Sequence, residues 1–266
     1  MANDFISKRS TFALLIKKEM KMKTVLITGA NKSIGFETVR QLLQKGYYVY
    51  LGSRNLTNGL AAVEKLKAEG FDALEAITID VSKQESVNAA RAEIGNKTNV
   101  LDVLINNAGI SGGLPQTATG TGIAEFKEVF ETNLFGVIRV TQAFMNLLEK
   151  SPEPRIVNVS SSMASLTLNS DPSWKFYHHK GAVYLPSKTA LNMYTLNLAY
   201  ELRDTAFKVN AVDPGFIATD FNNHRGTGTV EEAGARIVKY ALIDKNGPTG
   251  KFFSEEHNPE TGEIPW

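Results

Sequence analysis

From Lys23 onward, short apolar runs rich in β-branched residues alternate with longer stretches whose apolar positions recur every three or four residues. The first kind reads as buried strand and the second as amphipathic helix. Strands are predicted over 24–28, 47–52, 74–79, 101–105, 155–160, 207–212 and, briefly, around 251–253. Helices are predicted over 35–45, 60–69, 84–94, 124–149, 184–203 and 230–243, with Gly46 and Gly70 placed as helix stops. No Pro- or Gly-rich linker interrupts the alternation. One α/β domain is therefore expected over 23–266, a doubly wound fold whose central parallel sheet of about seven strands is flanked by helices.

Residues 1–22 stand outside this pattern. They mix Lys8, Arg9, Lys17 and Lys18 with Phe5, Ile6 and the apolar run from Phe12 to Ile16. That run is too short for a signal-peptide core, and Asp4 is out of place in a transit peptide, so a poorly ordered extension is expected.

Composition narrows the function classes. Twenty-nine basic and twenty-eight acidic residues leave a formal charge of +1, which supplies no field for nucleic acid or an anionic membrane. No apolar run approaches the roughly 18 residues needed to cross a bilayer, so a soluble, cytoplasmic protein with no membrane partner is expected. The chain has no cysteine, which removes disulfides, thiolate nucleophiles and thiolate metal sites. His178 and His179 lack further ligands at useful spacing, so no metal site is expected.

Candidate chemistry sits at the ends of the predicted strands. Strand one runs into Thr28-Gly29-Ala30-Asn31-Lys32-Ser33-Ile34-Gly35 and then a helix, where backbone N–H groups and the helix dipole meet phosphate in a doubly wound fold. A dinucleotide pyrophosphate fits there. Strand two ends Leu51-Gly52-Ser53-Arg54 with no acidic residue to hold a free ribose 2′-hydroxyl, whereas Arg54 can grip a 2′-phosphate. Lys32 offers a second cation, so NADPH/NADP is expected over NADH. Without the preceding turn, Arg54 reads as a solvated surface residue. Tyr184-Leu185-Pro186-Ser187-Lys188 places a phenol and an ammonium on one helix face, and Pro186 is tolerated in a first helical turn.

Taken in order, these motifs resemble the short-chain dehydrogenase/reductase family. The turn is similar to its Thr-Gly-x-x-x-Gly-x-Gly, with Ser33 where the middle glycine usually stands. Further matches are Asp80-Val81 after strand three, Asn106-Asn107-Ala108-Gly109 after strand four, Asn133, Asn158-Val159-Ser160-Ser161, the Tyr-x-x-x-Lys pair, and Asp213-Pro214-Gly215-Phe216-Ile217-Ala218-Thr219 after strand six.

The resemblance implies a Rossmann-type oxidoreductase. It implies cofactor contacts from Gly29, Asn31, Lys32, Ser33, Ile34, Gly35, Arg54, Asp80, Val81, Asn107, Tyr184, Lys188, Ile217 and Thr219. It also implies Tyr184 as general acid in reduction, Ser161 holding the substrate oxygen, Lys188 on the nicotinamide ribose and lowering the phenol pKa, and Asn133 positioning a water. Asn106 is expected to cap the sheet.

Between Ser161 and Tyr184 the chain runs longer than in ordinary members, with an insertion near 165–182. It carries Trp174 and Phe176, which with Phe216 are candidates for a substrate-pocket wall; a self-packed surface loop is the other reading. An insertion here resembles carbonyl-reductase-type members, implying a small-molecule aldehyde or ketone as substrate. Two rivals are a dehydrogenase of a secondary alcohol and a sensor that binds the dinucleotide without chemistry. The tail ending Ile264-Pro265-Trp266 can fold over the pocket or dock on the core, and homo-oligomer formation is left open.

Overall fold

The computed structural model describes residues 22–266. Residues 1–21, and with them nearly all of the expected N-terminal extension, lie outside the described residues.

Seven parallel strands form one sheet among the described residues: β1 Thr24–Ile27, β2 Tyr48–Ser53, β3 Leu74–Thr78, β4 Val103–Asn106, β5 Arg155–Val159, β6 Lys208–Val212 and β7 Phe252–Phe253. Their spatial order is β3-β2-β1-β4-β5-β6-β7. Val25 pairs with Val49 on one side and Val103 on the other, so the chain reverses its winding direction between β1 and β4. A crevice opens at the C-terminal ends of strands at such a switch point, which is where ligands bind in this architecture.

The strands are apolar on both faces because both are covered. Val25 and Ile27 pack with Val39 and Leu42 of helix α1 (Ser33–Gln44), Val63 and Leu66 of α2 (Leu56–Ala68) and Ile237 of the helix Val230–Ala241. Leu26 points the other way, into a cluster with Ile94 of α3 (Gln84–Lys97), Phe144 of the helix Gly136–Leu148 and Leu198 of the helix Tyr184–Glu201. This is the period-two alternation of a strand acting across a two-sided core.

Three boundaries differ from expectation for local reasons. Helix α2 starts at Leu56, earlier than its apolar period suggests, because Asn55 caps it by accepting from the Asn58 N–H at 3.0 Å. The stretch expected as one helix over 124–149 divides into α4 (Ile123–Phe130), a π turn (Glu131–Phe135) and α5 (Gly136–Leu148). The insertion near 165–182 forms α6 (Leu166–Ser170) and a series of turns leading into α7 (Tyr184–Glu201).

Helix α8 (Val230–Ala241) begins where expected, held by a reciprocal cap between Thr229 and Glu232. The chain end docks on the core: the Ile264 N–H donates to the Phe252 carbonyl at 2.9 Å, and Trp266 stacks on Phe252. Among the described residues no helix is long and apolar enough to cross a membrane, and no group of three His, Asp or Glu is placed to hold a metal.

Candidate active site

The turn after β1 is built for close backbone approach. Gly29 has φ +64°, and a Cβ there would lie 2.9 Å from the Ala108 Cα. A Cβ on Gly35 would meet the Gly29 carbonyl and the Asn107 Nδ2, each at 2.6 Å. The Thr28 hydroxyl accepts from the N–H groups of Asn107 and Ala108, both at 3.1 Å, and the Asn107 amide donates back to the carbonyls of Thr28 and Gly29 at 2.9 and 3.0 Å. Asn107, expected as a cofactor contact, therefore spends both amide hydrogens bracing the turn, and its part toward a ligand falls to Oδ1 and the backbone.

Ser33 occupies the left-handed region at φ +51°. The position thus demands what the family's glycine provides, and serine meets the demand under strain. Helix α1 starts with no side-chain cap and no acidic residue in its first turn. Its first amides face the switch point with the positive end of the dipole behind them, which fits a pyrophosphate.

Arg54 is exposed one residue beyond β2, while Lys32 forms an exposed ion pair with Asp220 at 2.7 Å, from across the crevice. The Asp80 carboxylate accepts from the Ser82 N–H and hydroxyl, and Val81 is buried against Gly136. Ile217 and Thr219 are both buried in the segment after β6, where Ile217 bridges to Gly228.

Beneath the crevice a buried amide ladder ties β4 to β5 and to the helices. The Asn106 Nδ2 donates to Asn158 Oδ1 at 2.9 Å and to the Thr141 hydroxyl at 3.2 Å, and Asn158 donates to the Thr195 hydroxyl at 2.8 Å. Asn106 thus has a structural task, but it joins side chains of neighbouring elements and caps no backbone group of the sheet. Asn133 sits in the π turn, a helix irregularity that often marks functional positions. Its amide donates to the Ile110 carbonyl at 2.9 Å and the Ser187 hydroxyl at 3.0 Å, while its oxygen accepts from the Ile110 N–H at 2.9 Å. Each side-chain hydrogen is used to join the β4 loop to helix α7.

On α7, Tyr184 and Lys188 share a face, as their spacing predicts. The Lys188 ammonium is buried, donates to the Val159 carbonyl at 2.8 Å, and lies 6.0 Å from the Tyr184 ring centroid. Burial lowers its pKa to about 8. The Tyr184 hydroxyl lies deep, although the ring keeps some exposure, and it is close enough to the Ser161 hydroxyl to feel it; Ser161 itself accepts from the Met163 N–H at 3.3 Å.

Burial first and then the Asp213 carboxylate push the phenol pKa up, with the Ser161 hydroxyl opposing them. Lys188 is not among the causes that set this balance in the polypeptide by itself, and the phenol is held protonated at neutral pH. A Cβ on Gly109 would lie 3.3 Å from Asn133 Oδ1 and 3.5 Å from Lys188 Nζ, so glycine keeps the space above these groups open.

The arrangement sets a protonated phenol and a serine hydroxyl side by side, next to the crevice at the switch point. Residues 23–229 match the sequence profile of the short chain dehydrogenases. The chain belongs to that family. It is 32% identical to (+)-neomenthol dehydrogenase of Capsicum annuum, over 90% of this chain and 98% of the relative. It is 30% identical to salutaridine reductase of Papaver bracteatum, over 88% and 94%. Among solved structures, NADPH-bound carbonyl reductase from chicken fatty liver superposes with a TM-score of 0.79 at 27% identity, covering 93% of this chain and all of the other.

The insertion and tail of this short chain dehydrogenase meet in an aromatic cluster. Trp174 and Phe176 are half-buried and pack edge-on at 5.5 Å, and Phe176 reaches Phe216 at 6.2 Å. At their centre stands His257, a residue the motifs did not single out. Its Nδ1 accepts from the Trp174 indole N–H at 3.5 Å and its Nε2 lies 3.1 Å from the Ser162 hydroxyl, next to Ser161. Since an indole can only donate, the proton of the neutral ring belongs on Nε2. Burial lowers the His257 pKa.

Glu256 accepts from the Phe216 N–H at 2.7 Å and pairs with Lys175 at 2.9 Å, so tail, insertion and β6 segment are mutually pinned. His178 and His179 are exposed. Phe221, also unmarked by sequence, packs edge-on against Tyr184 at 5.5 Å. No motif spacing marks His257 or Phe221, because each reaches the site through a loop contact far along the chain.

Proposed function

We propose that this chain is an NADPH-dependent reductase of aldehydes or ketones in which Tyr184 is the general acid. The observation that carries the reading is the deep-lying Tyr184 hydroxyl, with the Ser161 hydroxyl beside it and the buried Lys188 one turn later on the same helix face. When bound, the cofactor supplies hydride to the carbonyl carbon. Ser161 holds the carbonyl oxygen, and Tyr184 donates its proton to that oxygen as charge develops on it. A phenol kept protonated by burial is in the form this step requires. Asn133, bonded to the Ile110 backbone, and Lys188, bonded to the Val159 carbonyl, flank the space that Gly109 leaves open.

The first turn and the α1 N-terminus hold the pyrophosphate, and Arg54 meets the 2′-phosphate. Trp174, Phe176 and Phe216, with His257, form an apolar wall that suits a ring-bearing or otherwise bulky carbonyl compound. Relatives of this chain are named both as reductase and as dehydrogenase. The same groups run either direction, since an acid for reduction is a base for oxidation.

The test is the initial rate of NADPH oxidation, with NADH in parallel, across small aldehydes, aryl ketones and bulky cyclic ketones, together with NADP reduction by the corresponding alcohols. Turnover preferring NADPH, abolished in Tyr184→Phe while NADPH still binds, is the expected result. Tight NADPH binding with no turnover in either direction would identify a sensor. Unchanged turnover in Tyr184→Phe would refute the assigned acid.

A further inference from the structure

The N-terminal turn of α7 carries the proposed acid, yet its own sequence cannot cap it. The residue before the helix is Val183, which has no capping side chain. Helix starts leave backbone donors without intrahelical partners, and a buried donor left unpaired is costly. Here the accounting can be completed. Pro186 has no N–H, the Leu185 N–H reaches the Gly181 carbonyl at 3.4 Å, and the Ser187 N–H reaches the Val183 carbonyl at 3.1 Å. Two donors remain, those of Val183 and Tyr184 itself. Both are taken by one atom, the Oε1 of Gln116, at 3.1 and 3.0 Å.

Gln116 lies far from α7 in sequence, on the loop after β4, and is only 7% exposed. Its Nε2 donates to the Ser111 carbonyl at 2.7 Å, which ties the amide to the loop on which it stands. The orientation is unambiguous: two N–H donors must face the oxygen, and the Ser111 carbonyl must face the nitrogen. Space around the group is tight. A Cβ on Gly112 would lie 3.0 Å from Nε2, and one on Gly181 would lie 3.1 Å from Oε1.

We infer that Gln116 is a positioning residue for the reaction, a remote helix cap that holds the backbone of Tyr184 at the height where its hydroxyl meets Ser161. The inference rests on the proposed reductase reading for its catalytic consequence. The clamp works with Asn133, which grips the same helix one turn later through Ser187. Together they fix the first turn of α7 to the loop spanning Gly109 to Gln116. Removing the acceptor frees two amides and lets the turn fray, and the phenol moves with it.

The test uses the full chain and two variants. Gln116→Met keeps the volume and removes the acceptor; Gln116→Glu keeps an oxygen able to accept both N–H groups and, when its carboxyl is protonated, a hydroxyl able to donate to the Ser111 carbonyl. Displacement of a reacting group by about an ångström costs on the order of 100-fold, so kcat in Gln116→Met is expected to fall about 10- to 100-fold, with the NADPH Kd within about threefold of the parent. Gln116→Glu is expected to recover much of the loss at low pH, where its buried carboxyl is protonated, and to give it up as pH rises and the oxygen facing the Ser111 carbonyl loses its proton.

Amide hydrogen exchange supplies a readout separate from activity. Val183 and Tyr184 should exchange slowly in the unmodified protein and rapidly in Gln116→Met. Rapid exchange at both amides in the unmodified protein would overturn the clamp even if Gln116→Met failed to fold. A Met variant with parental kcat, or kcat losses equal in both variants at every pH, would overturn the positioning role. Absence of turnover in the unmodified protein counts against the reductase reading, while the exchange data still judge the clamp.

Discussion

Replacing Lys188 with methionine should stabilise the protein at neutral pH while removing its activity. The ammonium is buried, and burial brings its pKa from 10.5 to about 8. Between those values the unfolded chain binds the proton more tightly than the folded one, so the contribution of this group to stability rises with pH. The destabilisation is complete below about pH 8 and relieved as pH passes the unfolded value. A displacement of about 2.5 pH units corresponds to about 3 kcal/mol.

Methionine removes the charge but also loses the bond to the Val159 carbonyl, a loss of about 1–2 kcal/mol for a buried acceptor. Lys188→Met should therefore be more stable by about 1–2 kcal/mol at pH 7 and less stable near pH 10.5, the difference changing by about 3 kcal/mol in all. The Tyr184 phenol is held protonated through most of this range in the parent protein, so Lys188 dominates the change. The assay is urea unfolding of both proteins, without cofactor, at intervals from about pH 6.5 to pH 10.5. A stability difference that does not vary with pH would refute the reasoning. Its confirmation would mean that the folded state tolerates an unfavourable charge that only the chemistry needs.

Ser33→Gly should stabilise the protein by about 1 kcal/mol, because glycine adopts φ +51° without the strain a Cβ brings. Urea midpoints of the two proteins check it, and a less stable glycine variant would show that the serine hydroxyl outweighs the strain. Arg54→Asp should lower kcat/KM with NADPH by at least about tenfold more than with NADH, the order expected for losing a charge-assisted pair and adding a repulsive carboxylate. Equal losses with both cofactors would remove Arg54 from the 2′-phosphate site.

Much of this molecule was decided by short-range pattern. Alternating apolar runs specify strands buried on both faces, and turn chemistry at Gly29 and Gly35 specifies a tight strand-to-helix connection. A separation of four residues puts Tyr184 and Lys188 on one helix face wherever that helix goes. These follow from backbone geometry over a few residues, and the sequence determines them by itself. Even Ser33 carried its meaning locally, since a position that wants glycine imposes its φ on whatever residue stands there.

Other features exist only once the chain has folded. Which strands meet is settled by the sheet, and β4 lies beside β1 although β2 and β3 intervene in sequence. The helix expected over 124–149 is broken by a π turn at Asn133, whose side chain bonds a loop 23 residues away. Gln116 caps a helix 68 residues on, His257 meets Ser162 across 95, and Lys32 meets Asp220 across 188. No periodicity encodes such pairs, because each depends on where two independently placed backbones arrive. The pKa values belong here too: Lys188 and Tyr184 are ordinary side chains in the unfolded polypeptide, and only the surrounding protein, by excluding water, sets the balance of charge at the site.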